Sequence, residues 1–132
     1  MWGMGTIQRF EDIEAWKEAR NLTREIYRVT SEGPFAIDFG LRDQLQRASV
    51  SIMANIAEGF DGGSNREFVR YLGYALRSTT EVQSHLYVAS DQGYIDQQEF
   101  KSLYDLSVEV KNLISGFLRY LRSRSPTLNV AL

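Results

Sequence analysis

Apolar residues recur every three or four positions along most of this chain, which is the period of an amphipathic α-helix. Four segments follow this pattern, and none shows the strict alternation of a half-buried strand. They predict helices at about residues 13–30, 39–60, 65–92 and 97–124. The sequences SEGPF, DGG and DQGY separate these segments, and their glycine and proline residues are typical of helix ends.

Residue types at the predicted helix ends support these limits. Ser64 and Glu67 have the spacing of a capping box, and Asp96 and Glu99 repeat that spacing before the fourth helix. Gly93 suits the left-handed conformation found at many helix C-termini. The third and fourth helices are therefore predicted to be joined by a short turn.

These two helices each carry an apolar seam in which steps of four and three alternate. The seam of the third helix comprises Phe68, Leu72, Ala75, Thr79, Val82, Leu86 and Ala89. The seam of the fourth comprises Phe100, Leu103, Ser107, Val110, Ile114, Phe117 and Leu121. Such seams predict antiparallel neighbours that cross at about 20°. We expect an all-α, antiparallel up-and-down four-helix bundle over residues 10–124, preceded by an extension (1–9) and followed by a tail (125–132) that is frayed or docked on a neighbour.

Further apolar residues flank both seams and widen the apolar arc of each helix beyond what two neighbours require. They are Val69, Leu76 and Tyr87 on the third helix, and Leu106, Leu113 and Tyr120 on the fourth. A thick intramolecular core with some exposed leucines would explain them, but we favour an oligomer.

The length, composition and charge of the chain limit the classes of protein to which it can belong. The 132 residues suffice for one domain, and no apolar run approaches the roughly 20 residues needed to cross a bilayer. The N-terminus lacks the apolar stretch of a signal peptide, and cysteine is absent, so we expect a cytoplasmic protein without membrane association. A net charge of −2 means that any nucleic-acid-binding surface would have to be local.

Polar residues accompany the apolar stripe of the second helix. Gln44, Ser51, Asn55 and Glu58 fall along one edge of it, and Ser78 and His85 form a similar flank on the third helix, with Tyr71 and Tyr74 beside them and Glu81 further out. If these edges face each other, the side chains can satisfy one another between helices, as half-buried carboxylates require. We favour a network that sets the helix register over a catalytic site.

The residue types give little support to a metal site, a phosphate-binding loop or a catalytic site. The chain has one histidine, and Glu81 and His85 are four residues apart, not the three of a bundle di-iron motif. FDGGSNRE could hold an anion but lacks the lysine and spacing of a phosphate loop. A small hydrolase with His85 and either Glu81 or Glu58 in its active site is an alternative function that we disfavour. We predict no cofactor, no metal, no small-molecule substrate and no enzymatic activity.

Two groups of arginines are candidate phosphate contacts. Arg66, Arg70 and Arg77 share one face of the third helix, and Arg119, Arg122 and Arg124 cluster at the end of the fourth. In a single subunit such charges usually form a solvated face, whereas a ring would repeat each patch around its axis.

The stretches RFEDIEAWKEARNLTREIYRVT, GLRDQLQRASVSIMANIAEG and REFVRYLGYALRSTTEVQSHLYVASDQGYI resemble the 23S rRNA-intervening sequence protein family of bacterial four-helix bundles. The resemblance covers roughly residues 10–122. It is most specific at Gln44, Arg47, Ser51, Asn55, Ile56, Ala57, Glu58 and Gly59, with Ser78 and Glu81 on the third helix.

The resemblance implies an antiparallel bundle that assembles as a ring-shaped homopentamer without enzymatic activity. It also implies a relation to the accessory proteins of diversity-generating retroelements, which bind a reverse transcriptase and nucleic acid. This chain departs from the family pattern in the loop FDGGSN, where an arginine is common, and it is slightly acidic where the accessory proteins are basic. We therefore expect a non-enzymatic scaffold or adaptor that binds itself, with a protein or a nucleic acid as the candidate partner. The alternative is an RNA- or DNA-binding accessory factor.

Overall fold

The chain folds into four α-helices, as the computed structural model of residues 7–124 shows. The helices are α1 (Glu14–Thr30), α2 (Phe39–Asp61), α3 (Asn65–Asp91) and α4 (Gln97–Arg124). Short 3₁₀ turns at Phe10–Asp12 and Gly33–Ile37 precede α1 and α2, and residues 7–124 contain no strand. The predicted all-α fold of four helices is confirmed. The predicted tail and most of the predicted N-terminal extension lie outside the described residues.

The helix limits lie within one residue of the predicted ones. α1 begins at Glu14 rather than Ile13, because Ile13 has extended backbone angles (φ −78°, ψ 122°). Side-chain caps fix the other three starts: Asp38 Oδ1 accepts from Leu41 N (3.2 Å), Ser64 Oγ from Glu67 N (3.1 Å) and Asp96 Oδ1 from Glu99 N (2.7 Å).

Two helix-end predictions have mixed outcomes. Gly93 adopts the left-handed conformation, with φ 74°, as predicted. Only half of the predicted capping box forms at Ser64, because the Glu67 carboxylate accepts a hydrogen bond from Arg70 Nη2 (2.8 Å) instead of turning back to the cap. The cap at Asp38 also holds the α3–α4 turn, since Tyr94 donates its hydroxyl to Asp38 Oδ2 (2.9 Å).

The Asp12 carboxylate stabilises the turn that precedes α1. Asp12 Oδ2 accepts from the backbone N–H groups of Gln8 (3.0 Å) and Arg9 (3.3 Å). These hydrogen bonds, above all the one from Gln8, hold the pKa of the Asp12 carboxyl below its ordinary value of 3.8.

Each helix packs on the next along the chain, and α4 returns to pack on α1. The seven predicted seam residues of α3 are all buried. On α4 the prediction is wrong at two positions, because Phe100 and Phe117 are only half-buried, and Leu118 is buried instead of Phe117. A step of four after Ile114 keeps the helix in phase with the core, whereas a step of three turns Phe117 towards the α1–α4 side.

The most extensive helix contact joins α2 and α3, and a glycine permits it. A Cβ placed on Gly59 would lie 2.8 Å from Tyr71 Cβ and 3.0 Å from Phe68 Cδ1. Separations this short do not occur between real Cβ atoms and their neighbours, so the two backbones pack closely because residue 59 has no side chain.

A buried polar contact joins α3 to α4. Gln83 Nε2 donates to Ser107 Oγ (3.0 Å), and Gln83 Oε1 accepts from Lys111 Nζ (3.0 Å). Both Gln83 and Ser107 are buried, so each polar group needs the other.

None of the helices within residues 7–124 combines the length and apolar character that a membrane-spanning segment requires.

Candidate functional surface on helices α2 and α3

Three of the predicted polar residues form one hydrogen-bonded group between α2 and α3. Ser51 Oγ lies 2.9 Å from Ser78 Oγ across the helix interface. Asn55 Nδ2 donates to Ser51 Oγ (3.0 Å) and to the Ser51 carbonyl (2.9 Å) one turn earlier. Because Ser51 Oγ accepts from the amide, its own proton remains available for Ser78. All three residues are half-buried, so this group connects the two helices at the edge of the core.

The other predicted members on α2 point into solvent. Gln44, Arg47 and Glu58 are exposed, and within residues 7–124 their side chains make no hydrogen bond or ion pair. The expectation of a half-buried carboxylate at Glu58 is wrong, since this residue lies far enough round the helix to remain hydrated. Spacings of three and four residues keep all of them on the same side of α2 as Ser51.

Glu81 bonds within α3 instead of reaching α2. Its Oε2 atom lies 3.2 Å from Nε2 of His85, one turn later. The side chain of His85 is 17% exposed and that of Glu81 is 51% exposed. Within residues 7–124, Glu81 is the hydrogen-bond partner of His85, no serine hydroxyl joins the pair, and no three acidic or histidine side chains converge as metal ligands.

Two tyrosine rings of α3 lie against arginine side chains of the same helix. Tyr71 and Tyr74 pack edge to face with their ring centroids 5.6 Å apart. The Arg70 guanidinium lies 5.1 Å from the Tyr71 ring centroid and 5.8 Å from that of Tyr74, and Arg77 lies 6.0 Å from the Tyr74 centroid. Arg70 also donates to Glu67 (2.8 Å) and to the Tyr74 hydroxyl (3.3 Å), and these bonds raise its pKa. Arg70 is therefore already paired, whereas Arg66 and Arg77 are exposed without a hydrogen bond in the described chain.

The arginines of α4 form a second, looser group. Arg119 is exposed, and Arg124 is exposed with its guanidinium 5.4 Å from the centroid of the Tyr120 ring. Arg122 is half-buried, and its Nε atom is buried without a hydrogen bond to any residue in 7–124. Burial makes Arg122 less accessible to a phosphate than the other five arginines.

Two further groups contain exposed apolar side chains: the first was not predicted from the sequence, whereas the second contains Tyr87, which was predicted to widen the apolar arc of the third helix, with the half-buried Phe100 and Tyr104. Ile37 and Phe39, at the junction of the second 3₁₀ turn with α2, are 73% and 60% exposed. On α3 and α4, Tyr87 lies 5.0 Å from Phe100 and 5.7 Å from Tyr104, measured between ring centroids. The segment FAIDF, which joins the predicted loop to the start of the second predicted helix and has four apolar residues, was a usable signal for the first group.

Comparisons with known proteins agree with this architecture. The sequence pattern of the 23S rRNA-intervening sequence protein family matches residues 11–116. The fold is similar to the crystal structure of a protein of unknown function from the S23 ribosomal protein family of Bacteroides thetaiotaomicron. That similarity has a TM-score of 0.73 and 22% sequence identity, and it covers 80% of this chain and 95% of the other. A search of curated proteins gives no match.

The identity to the solved structure is low enough that it shows the fold alone. The family match includes part of the 3₁₀ turn before α1, the polar residues of α2 and α3 and most of α4. The chain therefore belongs to the 23S rRNA-intervening sequence protein family.

Proposed function

We propose that the protein is a non-enzymatic scaffold that assembles as a ring-shaped homopentamer and presents binding surfaces to protein partners. The subunit contact uses the α2–α3 surface, which we define as Ser51, Asn55, Ser78, Tyr71 and Tyr74 with the surrounding residues Gln44, Arg47, Glu58 and Glu81.

The observation that carries this proposal is the position of the polar residues of α2. Gln44, Arg47 and Glu58 share one side of the helix, yet they make no hydrogen bond within residues 7–124. Because residues 7–124 leave these side chains without a hydrogen-bond partner, they are available to contact a second copy. On the α2 side they flank a half-buried group of serine, asparagine and tyrosine residues, as the polar rim of an interface flanks its packed centre.

The exposed apolar groups support assembly independently. A ring needs two different complementary patches on each subunit, because its contacts are head to tail. Ile37 with Phe39, and Tyr87 with Phe100 and Tyr104, provide apolar surface outside the α2–α3 surface.

The test places a charge at the centre of the proposed contact. Ser78→Arg should convert the assembly to smaller species in size-exclusion chromatography with light scattering, because an unpaired arginine in a packed contact is costly to desolvate. Lys101→Arg is a control on α4, where the side chain is 77% exposed. An assembly that tolerates Ser78→Arg while both variants remain helical would refute this surface as the contact.

A second function, an RNA- or DNA-binding accessory factor, is favoured by the tyrosines and arginines of α3. Tyr71 and Tyr74 are aromatic rings on which bases could stack, and Arg66 and Arg77 are exposed cations of the same helix whose side chains make no hydrogen bond within residues 7–124. A relation to the retroelement accessory proteins, which the sequence resemblance implies, would favour this nucleic-acid-binding function.

Binding of labelled single-stranded RNA and DNA pools, followed by fluorescence anisotropy, tests the alternative. Affinity should fall steeply with salt and should fall further in an Arg66→Ala, Arg77→Ala variant. The charge-matched control is Arg20→Ala, Arg24→Ala on α1, where both arginines are exposed. Equal losses in the two double variants would show that only net charge matters and would refute a site on α3.

A further inference from the structure

The outer side of α3 carries a row of exposed residues outside both the core and the α2–α3 surface. The row comprises Arg77, Thr80, Ser84, Tyr87, Val88 and Asp91. Steps of three and four positions place these residues on one face of the helix, opposite the buried seam. The two large apolar side chains of the row, Tyr87 and Val88, are 54% and 42% exposed. We call these six residues the outer α3 row.

The outer α3 row is complementary to itself about Ser84. Arg77 and Asp91 lie seven positions before and after this serine, and Thr80 and Val88 lie four positions before and after it. If a second α3 packs antiparallel about Ser84, Arg77 of each copy faces Asp91 of the other. Tyr87 and Val88 then lie close to the two-fold axis, and the small side chain of Ser84 lets the two helices approach there.

We propose that the outer α3 row binds a second copy of this chain, in an antiparallel contact whose two-fold axis passes beside Ser84. Such a contact is isologous, because the same patch is used on both subunits. The inference goes beyond the proposed ring and does not rest on it. Ring contacts are head to tail, whereas this contact joins subunits of two different rings, or two single subunits where no ring forms.

Charge complementarity selects a second copy as the occupant. Arg77 and Asp91 are exposed, and within residues 7–124 neither side chain forms a hydrogen bond or an ion pair. The guanidinium of Arg77 contacts only a ring, with 6.0 Å to the centroid of Tyr74. An antiparallel pair brings these opposite charges together twice, whereas a parallel pair would bring like charges together.

The helix macrodipole gives a second reason to look for a partner of Asp91. Asp91 is the last residue of α3, where the negative end of the dipole disfavours a carboxylate, and the last turn of α3 contains no basic residue. The fourth helix follows the favourable pattern, with Glu99 in its first turn and Arg122 and Arg124 in its last. The stability of a single helix therefore accounts for the terminal charges of α4 but not for Asp91, and Arg77 of a second copy would supply the missing cation.

The size of the row determines the strength of the contact. From Arg77 to Asp91 it extends about 21 Å at 1.5 Å per residue, and a helix is about 10 Å wide. The row therefore offers on the order of 200 Å² per copy, against about 800 Å² per partner in a standard interface. The pairing is weak and reversible, so paired and unpaired species coexist, and covalent capture is the suitable assay.

Disulfide capture tests the contact, because the natural chain has no cysteine. Ser84→Cys should form a disulfide-linked dimer under mild oxidation, since helix axes about 8–10 Å apart bring the facing Cα atoms at the two-fold axis within disulfide range. The matched control is Ser102→Cys, which replaces an exposed serine of α4. Non-reducing gel electrophoresis should show dimer formation several-fold faster for Ser84→Cys than for this control.

Two further cysteine variants test the direction of the helices. Arg77→Cys alone and Asp91→Cys alone should cross-link poorly, because equivalent residues of an antiparallel pair lie about 21 Å apart. When the two variants are mixed, one of them carrying a tag, they should give a cross-linked heterodimer. Each such heterodimer keeps one of the two ion pairs intact.

Charge reversal tests the ion pairs in the Ser84→Cys background. Arg77→Glu and Asp91→Arg should each slow cross-linking several-fold, because each places like charges opposite one another, and the two changes combined should restore the rate. Raising the salt concentration should slow cross-linking of the unreversed protein. Arg24→Glu, at an exposed arginine of α1, changes the net charge as much as Arg77→Glu does and should leave the rate unchanged.

Several results would overturn the proposal. Cross-linking of Ser84→Cys no faster than that of Ser102→Cys would show that α3 does not pair there and would leave the row to a different partner. Homodimers of Arg77→Cys and Asp91→Cys without the heterodimer would show a parallel contact. If a charge variant loses its helical circular dichroism, the salt dependence of the Ser84→Cys rate decides, and a rate independent of salt refutes the ion pairs. None of these outcomes bears on the ring, because single subunits and ring subunits cross-link alike.

Discussion

Gly59→Ala should destabilise the protein, although the same change elsewhere in its helices should stabilise it. Residue 59 lies where α2 packs closely on α3, and an added Cβ would be 2.8 Å from Tyr71 Cβ. Neither carbon can rotate away, because each is bonded directly to its own helix backbone. The helices must therefore separate by a large fraction of an ångström.

The size of the effect follows from two opposing contributions. Overpacking a well-packed core costs about 1–3 kcal/mol, and contact between two backbone-attached carbons belongs in the upper half of that range. Replacing a helical glycine by alanine returns about 1 kcal/mol of helix propensity. The net loss in the free energy of unfolding should be about 1–2 kcal/mol.

Gly73→Ala is the matched control, since an added Cβ there meets nothing within 4 Å. This variant should gain up to about 1 kcal/mol from propensity alone. Urea unfolding followed by circular dichroism, at one protein concentration for all variants, gives both differences from the midpoints with unchanged slopes. If Gly59→Ala were as stable as Gly73→Ala, the close approach of α2 and α3 at this glycine would be refuted.

Three further changes test other contacts. A double-mutant cycle of Ser51→Ala and Ser78→Ala should give a coupling of about 0.5–1 kcal/mol in the free energy of unfolding, because one hydrogen bond joins the helices. Ser107→Ala should cost about 1–3 kcal/mol, because it leaves the buried amide of Gln83 without its acceptor, and adding Gln83→Met should recover much of the loss. Backbone hydrogen bonds lower the pKa of Asp12 in the folded state, so its contribution to stability is present above the ordinary value of 3.8 and is lost as the pH falls through the lower folded value. Urea midpoints measured from pH 7 down to pH 3 should therefore fall less steeply for Asp12→Asn.

Each of these expectations can fail in its own way. Additive effects of the two serine changes would mean that their hydroxyls do not interact in solution. If the Gln83→Met, Ser107→Ala protein were no more stable than Ser107→Ala, the unsatisfied Gln83 amide would not be the cause of the lost stability. Parallel acid profiles for the natural protein and Asp12→Asn would show that this carboxylate is not bonded to the backbone.

Local signals in the sequence predict much of the fold. Helix period, capping residues and the glycine of DQGY depend on neighbouring residues only, so they give four helices with limits correct to one residue. The seam of α3 was also predictable, because its steps of four and three match the helix period over its whole length. The similar seam on α4 fails at Phe117, where a step of three no longer follows the core and Leu118 takes the buried position, and Phe100 at its start is only half-buried.

Contacts between distant residues were not predictable. Asp38 and Tyr94 are 56 positions apart, and neither sequence environment indicates that the α3–α4 turn folds against the start of α2. Gly59 belongs to the family motif in the sequence. The need for a glycine there comes from the short distance between α2 and α3, which the sequence does not reveal.

The candidate surface shows the same limit in more detail. Positions at 100° steps place Ser51, Asn55 and Glu58 on one edge of α2, but they do not fix how that edge is rotated relative to α3. The structure turns Ser51 and Asn55 towards the interface with Ser78 and leaves Glu58 in solvent. The interface and solvent environments on α2 are separated by a rotation of only a few tens of degrees about the helix axis. Packing throughout the bundle sets this rotation.

Native mass spectrometry of the full chain tests the proposed ring most directly. Five copies of the 15.1 kDa chain correspond to about 75 kDa, and we expect this species at both low and high salt because the proposed contact has a packed centre. A single species at 15.1 kDa under both conditions would contradict the scaffold proposal, and the α2–α3 surface would then need a partner other than the protein itself.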